Sequence, residues 1–329
     1  MTKLLLITSE FPPQPGGIGN HAHHVAKALL PHNFFVTVLS DQRSKLGVEE
    51  TQFDNKQAYT TVRVRRRHFI AITYCKRIFK AMRLQKEHDV ILVSGKFSIW
   101  IAGFLRFITS KKIVAVLHGS EVAMPSSAAL LLTRWSLKRC SYCIAVSNFT
   151  KSLVEDWGLK AITVIPNGFE SPIQSSPYKN LEDSIRLITV GNVTQRKGQH
   201  NVVAALPMLL KRFPKLTYDI VGIPTEMENI KKLALQLAVS ESVVFHGGVS
   251  EERKLDLLEK ASIFVMLSET TKSGDVEGFG IAILEANALA IPSIGAKGCG
   301  IEDAISHQKS GILIDPHKPE ELGEAIETI

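Results

Sequence analysis

The chain has 329 residues, 45% of them hydrophobic and 22% charged, which is room for two globular domains and excludes a disordered or collagen-like protein. Four cysteines in this length do not make a disulfide framework. The net charge of +7 is uneven: residues 1–180 hold 24 Lys and Arg against 11 Asp and Glu, whereas residues 181–329 hold 15 against 21.

The N-terminus is Met1-Thr2-Lys3 and a short apolar run to Thr8, with neither the apolar core nor the small-residue cleavage site of a signal peptide. The longest apolar stretches, such as 97–108 with Arg106 inside it, fall short of the roughly 18 to 20 residues that a spanning helix needs. A cytoplasmic protein whose first strand covers residues 4–8 is expected. Next come Gly16, Gly17 and Gly19, opening a helix over 21–30. Asp41 stands near the acidic position of a dinucleotide fold, but residues 10–15 intervene between strand and first glycine, so the spacing argues against NAD(P). Glycines at a helix start still let a phosphate or sugar approach free backbone N–H groups. His21, His23 and His24 have no carboxylate or Cys to complete a metal set and read as helix-surface residues.

Further buried strands are expected over 35–39, 61–64, 90–93, 113–117 and 142–146, with helices between. From Arg63 to Lys86 there are nine basic residues and no acidic one, interleaved with Ile72, Ile78, Phe79 and Met82. From about Ile72 onward this stretch can form a helix with one apolar and one basic side, suited to anionic lipid or simply to packing against a core; no nucleic-acid motif accompanies the charge. Cys140 and Cys143 form a C-x-x-C at the end of a helix, without the second pair a zinc site wants, and read as small buried thiols.

A polar stretch of Pro and Ser over 171–184 is the linker candidate. Strands then recur over 185–190, 216–221, 243–245, 263–267, 291–294 and 311–314. Continuous apolar strands alternating with helices mean parallel sheets covered on both faces. The chain is therefore expected to be α/β, with two doubly wound Rossmann-like domains, residues 1–170 and 185–329, facing across a cleft with ligands at the carboxyl ends of strands.

The second half carries the sharper motif. Glu277 and Glu285 are eight residues apart around the start of a helix, a spacing that would point both carboxylates to one side, suited to sugar and ribose hydroxyls. Gly278 and Gly280 would leave the first-turn N–H groups bare for a phosphate. Between an earlier strand and helix, residues 191–198 carry Arg196 and Lys197, which can neutralise a diphosphate.

With Gly16-Gly17, His118-Gly119, Val146-Ser147, Ile165-Pro166-Asn167-Gly168, Arg196-Lys197-Gly198, the Glu277 to Glu285 segment and the 311–316 segment in order, the chain resembles a retaining glycosyltransferase of GT-B fold, family 4 (group 1) type. The resemblance implies a UDP- or GDP-sugar donor held mainly by the C-terminal domain, a sugar or lipid-linked acceptor held mainly by the N-terminal one, and no metal or other cofactor. It gives Glu285 the ribose, Glu277 the donor sugar, the amides of Phe279 and Gly280 beside Gly278 the phosphates, and Arg196 and Lys197 the departing diphosphate. His118 would contact the donor sugar, and Gly16 with Gly17 would close over donor and acceptor. Asn192 stands where many such proteins have Arg, and the turn over 298–303 lacks a second consecutive glycine and a proline. A C-terminal crossover helix beyond Ile329 is expected to be missing. The function expected is sugar transfer in surface polysaccharide, lipopolysaccharide or glycolipid synthesis, peripherally at the inner face of the membrane through 63–86. The alternatives are a nucleotide-sugar epimerase or hydrolase of the same fold, or a noncatalytic membrane-associated nucleotide-sugar-binding protein.

Overall fold

The computed structural model describes residues 1–14, 16–125, 127–170 and 184–329. The chain divides into two units, Met1–Asn167 and Gly168–Ile329. The expected linker, apart from Ser184, lies outside the described residues.

In the first unit, seven strands alternate with helices. The strands are β1 (Thr2–Thr8), β2 (Phe34–Gln42), β3 (Thr60–Arg65), β4 (Val90–Ser94), β5 (Lys112–Leu117), β6 (Tyr142–Ala145) and β7 (Ile162–Val164). The helices are α1 (Gly17–Leu29), α2 (Val48–Asp54), α3 (Ile70–Leu84), α4 (Lys96–Leu105), α5 (Ala128–Leu137) and α6 (Asn148–Ser152). All strand pairs are parallel, in the order β3-β2-β1-β4-β5-β6-β7. Leu5, Leu6, Ile7, Ile91 and Ile113 are fully buried, as unbroken apolar strands covered on both faces require. Each such side chain contributes about 1.5–3 kcal/mol of burial, so Leu5→Ala would cost about 2–5 kcal/mol once the cavity is included. Strand β7, only three residues long, has no counterpart among the expected strands.

The second unit has β8 (Arg186–Val190), β9 (Thr217–Val221), β10 (Val243–Gly247), β11 (Ile263–Met266), β12 (Ser293–Ala296) and β13 (Gly311–Ile314), again parallel, in the order β10-β9-β8-β11-β12-β13. Its helices are α7 (Gln199–Arg212), α8 (Met227–Gln236), α9 (Glu251–Lys260), α10 (Ile281–Ala288) and α11 (Pro319–Thr328). Ser250 caps α9 by accepting from the Arg253 amide, with Glu251 and Glu252 in the first turn against the helix dipole. Leu187, Val202, Leu206, Tyr218, Val265 and Leu322 belong to one core. In each sheet the strand order reverses beside the first strand, between β1 and β4 and between β8 and β11, and at such a switch point the following loops diverge and leave room for a ligand.

Helix α3 departs from expectation. Its inner side is Thr73, Arg77, Ala81 and Gln85, one residue every four, while Ile72, Phe79 and Met82 are exposed alongside Lys76 and Arg83. Apolar and basic residues thus share the solvent side instead of dividing the helix between them. Nor is the basic run a uniform surface. Arg77 is fully buried, 2.5 Å from both carboxylate oxygens of Asp41. Arg63 grips Asp54 at 2.7 Å and donates to the Pro12 and Asp41 carbonyls, and Lys80 donates to the Arg63 carbonyl at 2.9 Å. A buried guanidinium needs such a partner, because leaving one charge uncompensated costs about 3–5 kcal/mol. Asp41 is occupied by Arg77 and is no ribose ligand.

Cys140 and Cys143 are buried and free. Burial pushes the Cys143 thiol up to about 12, which keeps it protonated and inert.

Candidate active site

In the second unit the loop after β8 and the loop after β11 flank the switch point. The first makes a 3-10 turn over Gln195–Lys197 and ends at Gly198, whose φ is +72°. A Cβ at Gly198 would sit 1.7 Å from the Leu267 carbonyl oxygen, so the two loops touch backbone to backbone. The Glu269 amide donates to the Arg196 carbonyl at 3.0 Å, and Asn201 Nδ2 donates to the Leu267 carbonyl at 3.1 Å. These ties fix where Arg196 and Lys197 point.

Both point at Glu277. Lys197 Nζ lies 2.8 Å from Oε2 of Glu277, Arg196 Nη1 donates to the same oxygen, and Arg196 Nε donates to Asp275 at 3.1 Å. The Phe279 amide donates to the Glu277 carboxylate as well. Burial alone would raise the Glu277 pKa, but Lys197 and Arg196 hold it below the ordinary carboxylate value. Two cations thus converge on one oxygen, and an amide on the same carboxylate, in a buried setting, the arrangement a diphosphate needs. The hydroxyls of Thr194 and Ser268, on the same two loops, are buried without a hydrogen-bond partner among the described residues.

The spacing argument for the two glutamates fails in one respect. Helix α10 begins at Ile281, so Glu277 precedes it in an irregular loop and shares no helix face with Glu285. Its position is set by the Gly300 amide, which donates to the Glu277 carbonyl at 2.8 Å. Gly280, at φ +95°, turns the chain into α10, whose first turn has no side-chain cap among the described residues, although the Ile283 amide donates to the Gly280 carbonyl at 3.0 Å. Gly278 and Phe279 are buried. Glu285, within α10, is half-buried and pairs with Lys254 of α9 at 3.1 Å.

In the first unit, His118 follows β5 and Ser94 ends the neighbouring β4, with 2.9 Å between Nε2 and the hydroxyl. His21 of α1 meets the His118 ring edge-on at 5.0 Å between centroids. Burial and the His21 ring lower the His118 pKa well below its ordinary value, and His21 is itself lowered to about 4 by burial and by His24. Both imidazoles are neutral near pH 7. Glu121, buried, accepts from the His118 amide at 2.7 Å. Two of the α1 histidines are thus tied inward rather than lying free on the helix surface: His21 packs on His118, and His23 Nδ1 lies 2.6 Å from the Tyr59 hydroxyl. Gly16 precedes α1, where an added Cβ would meet Glu10 Oε2 at 2.9 Å, and Gly17, the first residue of α1, has open space there. The tight approach to backbone belongs to Gly19, where a Cβ would come within 3.0 Å of the Phe11 nitrogen.

The sequence pattern does not single out Ser94, Glu121 or Gly300, and it places His21 on the helix surface instead of beside His118. Ser94 and Glu121 lie 24 and 3 residues from His118, and neither occupies a motif; Gly300 was seen only as a departure from one. Among the described residues no group of three or more His, Cys, Asp or Glu could hold a metal ion.

Two all-parallel Rossmann-like sheets in one chain, with a cationic loop at the switch point of the second, define a glycosyltransferase of the α/β GT-B fold. The family described as Glycosyltransferase Family 4 matches residues 15–171 and that described as Glycosyl transferases group 1 matches residues 172–329; the chain belongs to glycosyltransferase family 4, group 1. It is similar to the GDP-mannose-dependent alpha-(1-6)-phosphatidylinositol monomannoside mannosyltransferases of Mycobacterium tuberculosis (27% identical, 99% of this chain and 88% of the relative) and Mycolicibacterium smegmatis (29%, 95% and 85%). In fold it is similar to Anabaena HepE in complex with UDP and glucose (TM-score 0.79, 20% identical, 100% of this chain and 89% of that one). Sucrose-phosphate synthase from Thermosynechococcus elongatus matches as closely (TM-score 0.80, 20% identical, 100% and 90%).

Proposed function

We propose that this enzyme transfers a hexose from a GDP- or UDP-sugar, with retention of configuration, to a hydroxyl of a sugar or lipid-linked acceptor in glycolipid or surface polysaccharide synthesis. The observation that carries the reading is the convergence of Arg196 and Lys197 on one oxygen of the Glu277 carboxylate, which the Phe279 amide also meets, since the oxygens of a diphosphate can take that carboxylate's place. As the bond from sugar to phosphate breaks, negative charge grows on the leaving oxygen, and cations already fixed there stabilise it without reorganising. Glu277, released from its cations, accepts from hydroxyls of the sugar; Glu285 accepts from the ribose. His118, neutral and hydrogen-bonded to Ser94, is given a sugar contact, and the open space at Gly17 leaves room for a ligand. Because two cations neutralise the diphosphate, the reaction proceeds without a metal.

The likeness to GDP-mannose-dependent enzymes over nearly the whole chain favours GDP-mannose and an inositol-lipid acceptor as the first substrates to try. The reading includes peripheral attachment to an anionic membrane surface at its cytoplasmic side. Phe69, Ile72, Phe79 and Met82 are exposed among the exposed cations Arg65, Arg67, Lys76, Arg83 and Lys86, which supports it. No helix among the described residues is long and apolar enough to cross a membrane.

The test is turnover of GDP-, UDP- and ADP-sugars with a lipid extract in EDTA, with the product's anomeric configuration read by NMR. Transfer with the donor's configuration kept is expected. Inversion, a need for added metal, or release of free or isomerised sugar without transfer would each overturn the corresponding part.

A further inference from the structure

The edge of the first sheet carries a feature that sugar transfer does not use. Between β3, the terminal strand, and α3 lies a groove of about 630 Å3, lined among others by Arg63, Arg65, Cys75, Lys76, Phe79 and Lys80 and by no acidic residue. Arg63 is neutralised by Asp54, but Arg65 and Lys76 are exposed and have no ion pair among the described residues, and Lys80 has only a carbonyl as partner. The groove therefore holds uncompensated positive charge, the complement of a phosphate. It opens beside an apolar stripe: Ile72, Cys75, Phe79 and Met82 follow one another at spacings of three and four along α3, all exposed, hence on one face of the helix. Such a face, flanked by Lys76 and Arg83, fits a bilayer interface.

We propose that the groove between β3 and α3 binds the phosphate headgroup of an anionic phospholipid, held by Arg65, Lys76 and Lys80 while the acyl region meets Ile72, Phe79 and Met82. This rests on the membrane attachment proposed above and adds to it a defined site. A diffuse cationic surface loses about the same affinity for any two charges removed, roughly fivefold each, whereas a site loses more for its own.

The experiment compares two charge-matched variants of the whole chain, R65Q/K76Q in the groove and R83Q/K86Q outside it, by sedimentation with phosphatidylglycerol and phosphatidylcholine vesicles. It also follows the maleimide reaction of Cys75, the exposed cysteine, while Cys140, Cys143 and Cys299 are buried. For the wild type, binding to phosphatidylglycerol vesicles is expected, with Cys75 alkylation slowed at least tenfold by them and unchanged by phosphatidylcholine or inorganic phosphate. R65Q/K76Q should lose at least tenfold more affinity than R83Q/K86Q. If the wild type ignores both vesicle types, the attachment and the site fall together. If it binds but the two variants lose equally, or Cys75 stays as reactive as before, the site is wrong and the attachment stands. Protection of Cys75 by millimolar inorganic phosphate alone would make the groove a site for a soluble phosphate and overturn the lipid assignment.

Discussion

Lys197 Nζ lies 2.8 Å from Glu277 Oε2, so the carboxylate assigned to the sugar is the counter-ion of the cation assigned to the leaving phosphate. Binding a donor exchanges one anion for another. Removing the carboxylate's charge leaves Lys197 and Arg196 free for the incoming diphosphate, with Asp275 still on Arg196. Glu277→Gln is therefore expected to keep or raise affinity for the nucleoside diphosphate while turnover falls by the equivalent of about 2–4 kcal/mol. Calorimetry with UDP and GDP and initial rates decide it; lost diphosphate affinity with unchanged turnover would refute the assignment.

Glu285 has a separate partner, Lys254, and a separate task. Glu285→Ala should weaken GDP, UDP and the full donor alike by about 1.5–3 kcal/mol, the range for hydrogen bonds to a charged group, and leave pyrophosphate binding unchanged. Isothermal titration with the four ligands tests it. Equal loss for pyrophosphate would mean that Glu285 acts on the phosphate end.

Gly300 supports the donor loop from below. A Cβ there would meet the Gly278 carbonyl oxygen at 2.0 Å and the Phe279 nitrogen at 2.7 Å, backbone atoms that can yield only if the loop moves. Gly300→Ala should thus reduce donor affinity at least tenfold and lower the melting temperature. Gly17→Ala, with nothing within 4 Å of its added methyl, should melt as the wild type does, within about 0.5 kcal/mol. Thermal melts with and without UDP and GDP distinguish the two.

Stability should carry an opposed pair of pH dependences from the His118 loop. Burial pushes Glu121 up to about 7 despite the backbone amides it accepts from, so its protonated form contributes stability that is fully present below pH 4.5 and lost as pH rises to 7. The lowered values of His21 and His118 act the other way: the unfolded chain gains protons below about 6.5 that the folded chain refuses, and stability falls as pH drops toward 4. Replacing the carboxyl isolates the first effect. Glu121→Gln should become more stable relative to the wild type as pH rises from 5 to 8, measured by urea titration at each pH; a difference independent of pH would show that Glu121 titrates at an ordinary value.

The twelve strands expected from apolar runs are all present, the inner ones because a strand buried on both faces announces itself by composition alone. β7 escaped because Ile162–Val164 is only three residues long, whereas the equally half-buried edge strands β3 and β10 have six and five. Basic residues are read as surface unless their partners are visible, and Asp41 and Asp54 stand 36 and 9 residues from Arg77 and Arg63, too far for a local pattern. At the donor loop the residue types were legible and their geometry was not. A helical spacing could be counted from Glu277 to Glu285, but where α10 starts depends on Gly280 adopting φ +95° and on a backbone bond from Gly300, neither of which residue identity reveals.

In both sheets the first strand of the unit lies inside the sheet, with β2 and β3 added outward on one flank of β1 and β4 to β7 on the other, and likewise β9 and β10 against β11 to β13 around β8. No strand has to wedge between two that are already paired. During synthesis each strand leaves the ribosome to find an open edge made by one that left before it, and the first unit can complete its sheet before the second has begun to emerge. The topology therefore lets the order of translation serve as the order of assembly, with no already formed strand pair having to reopen.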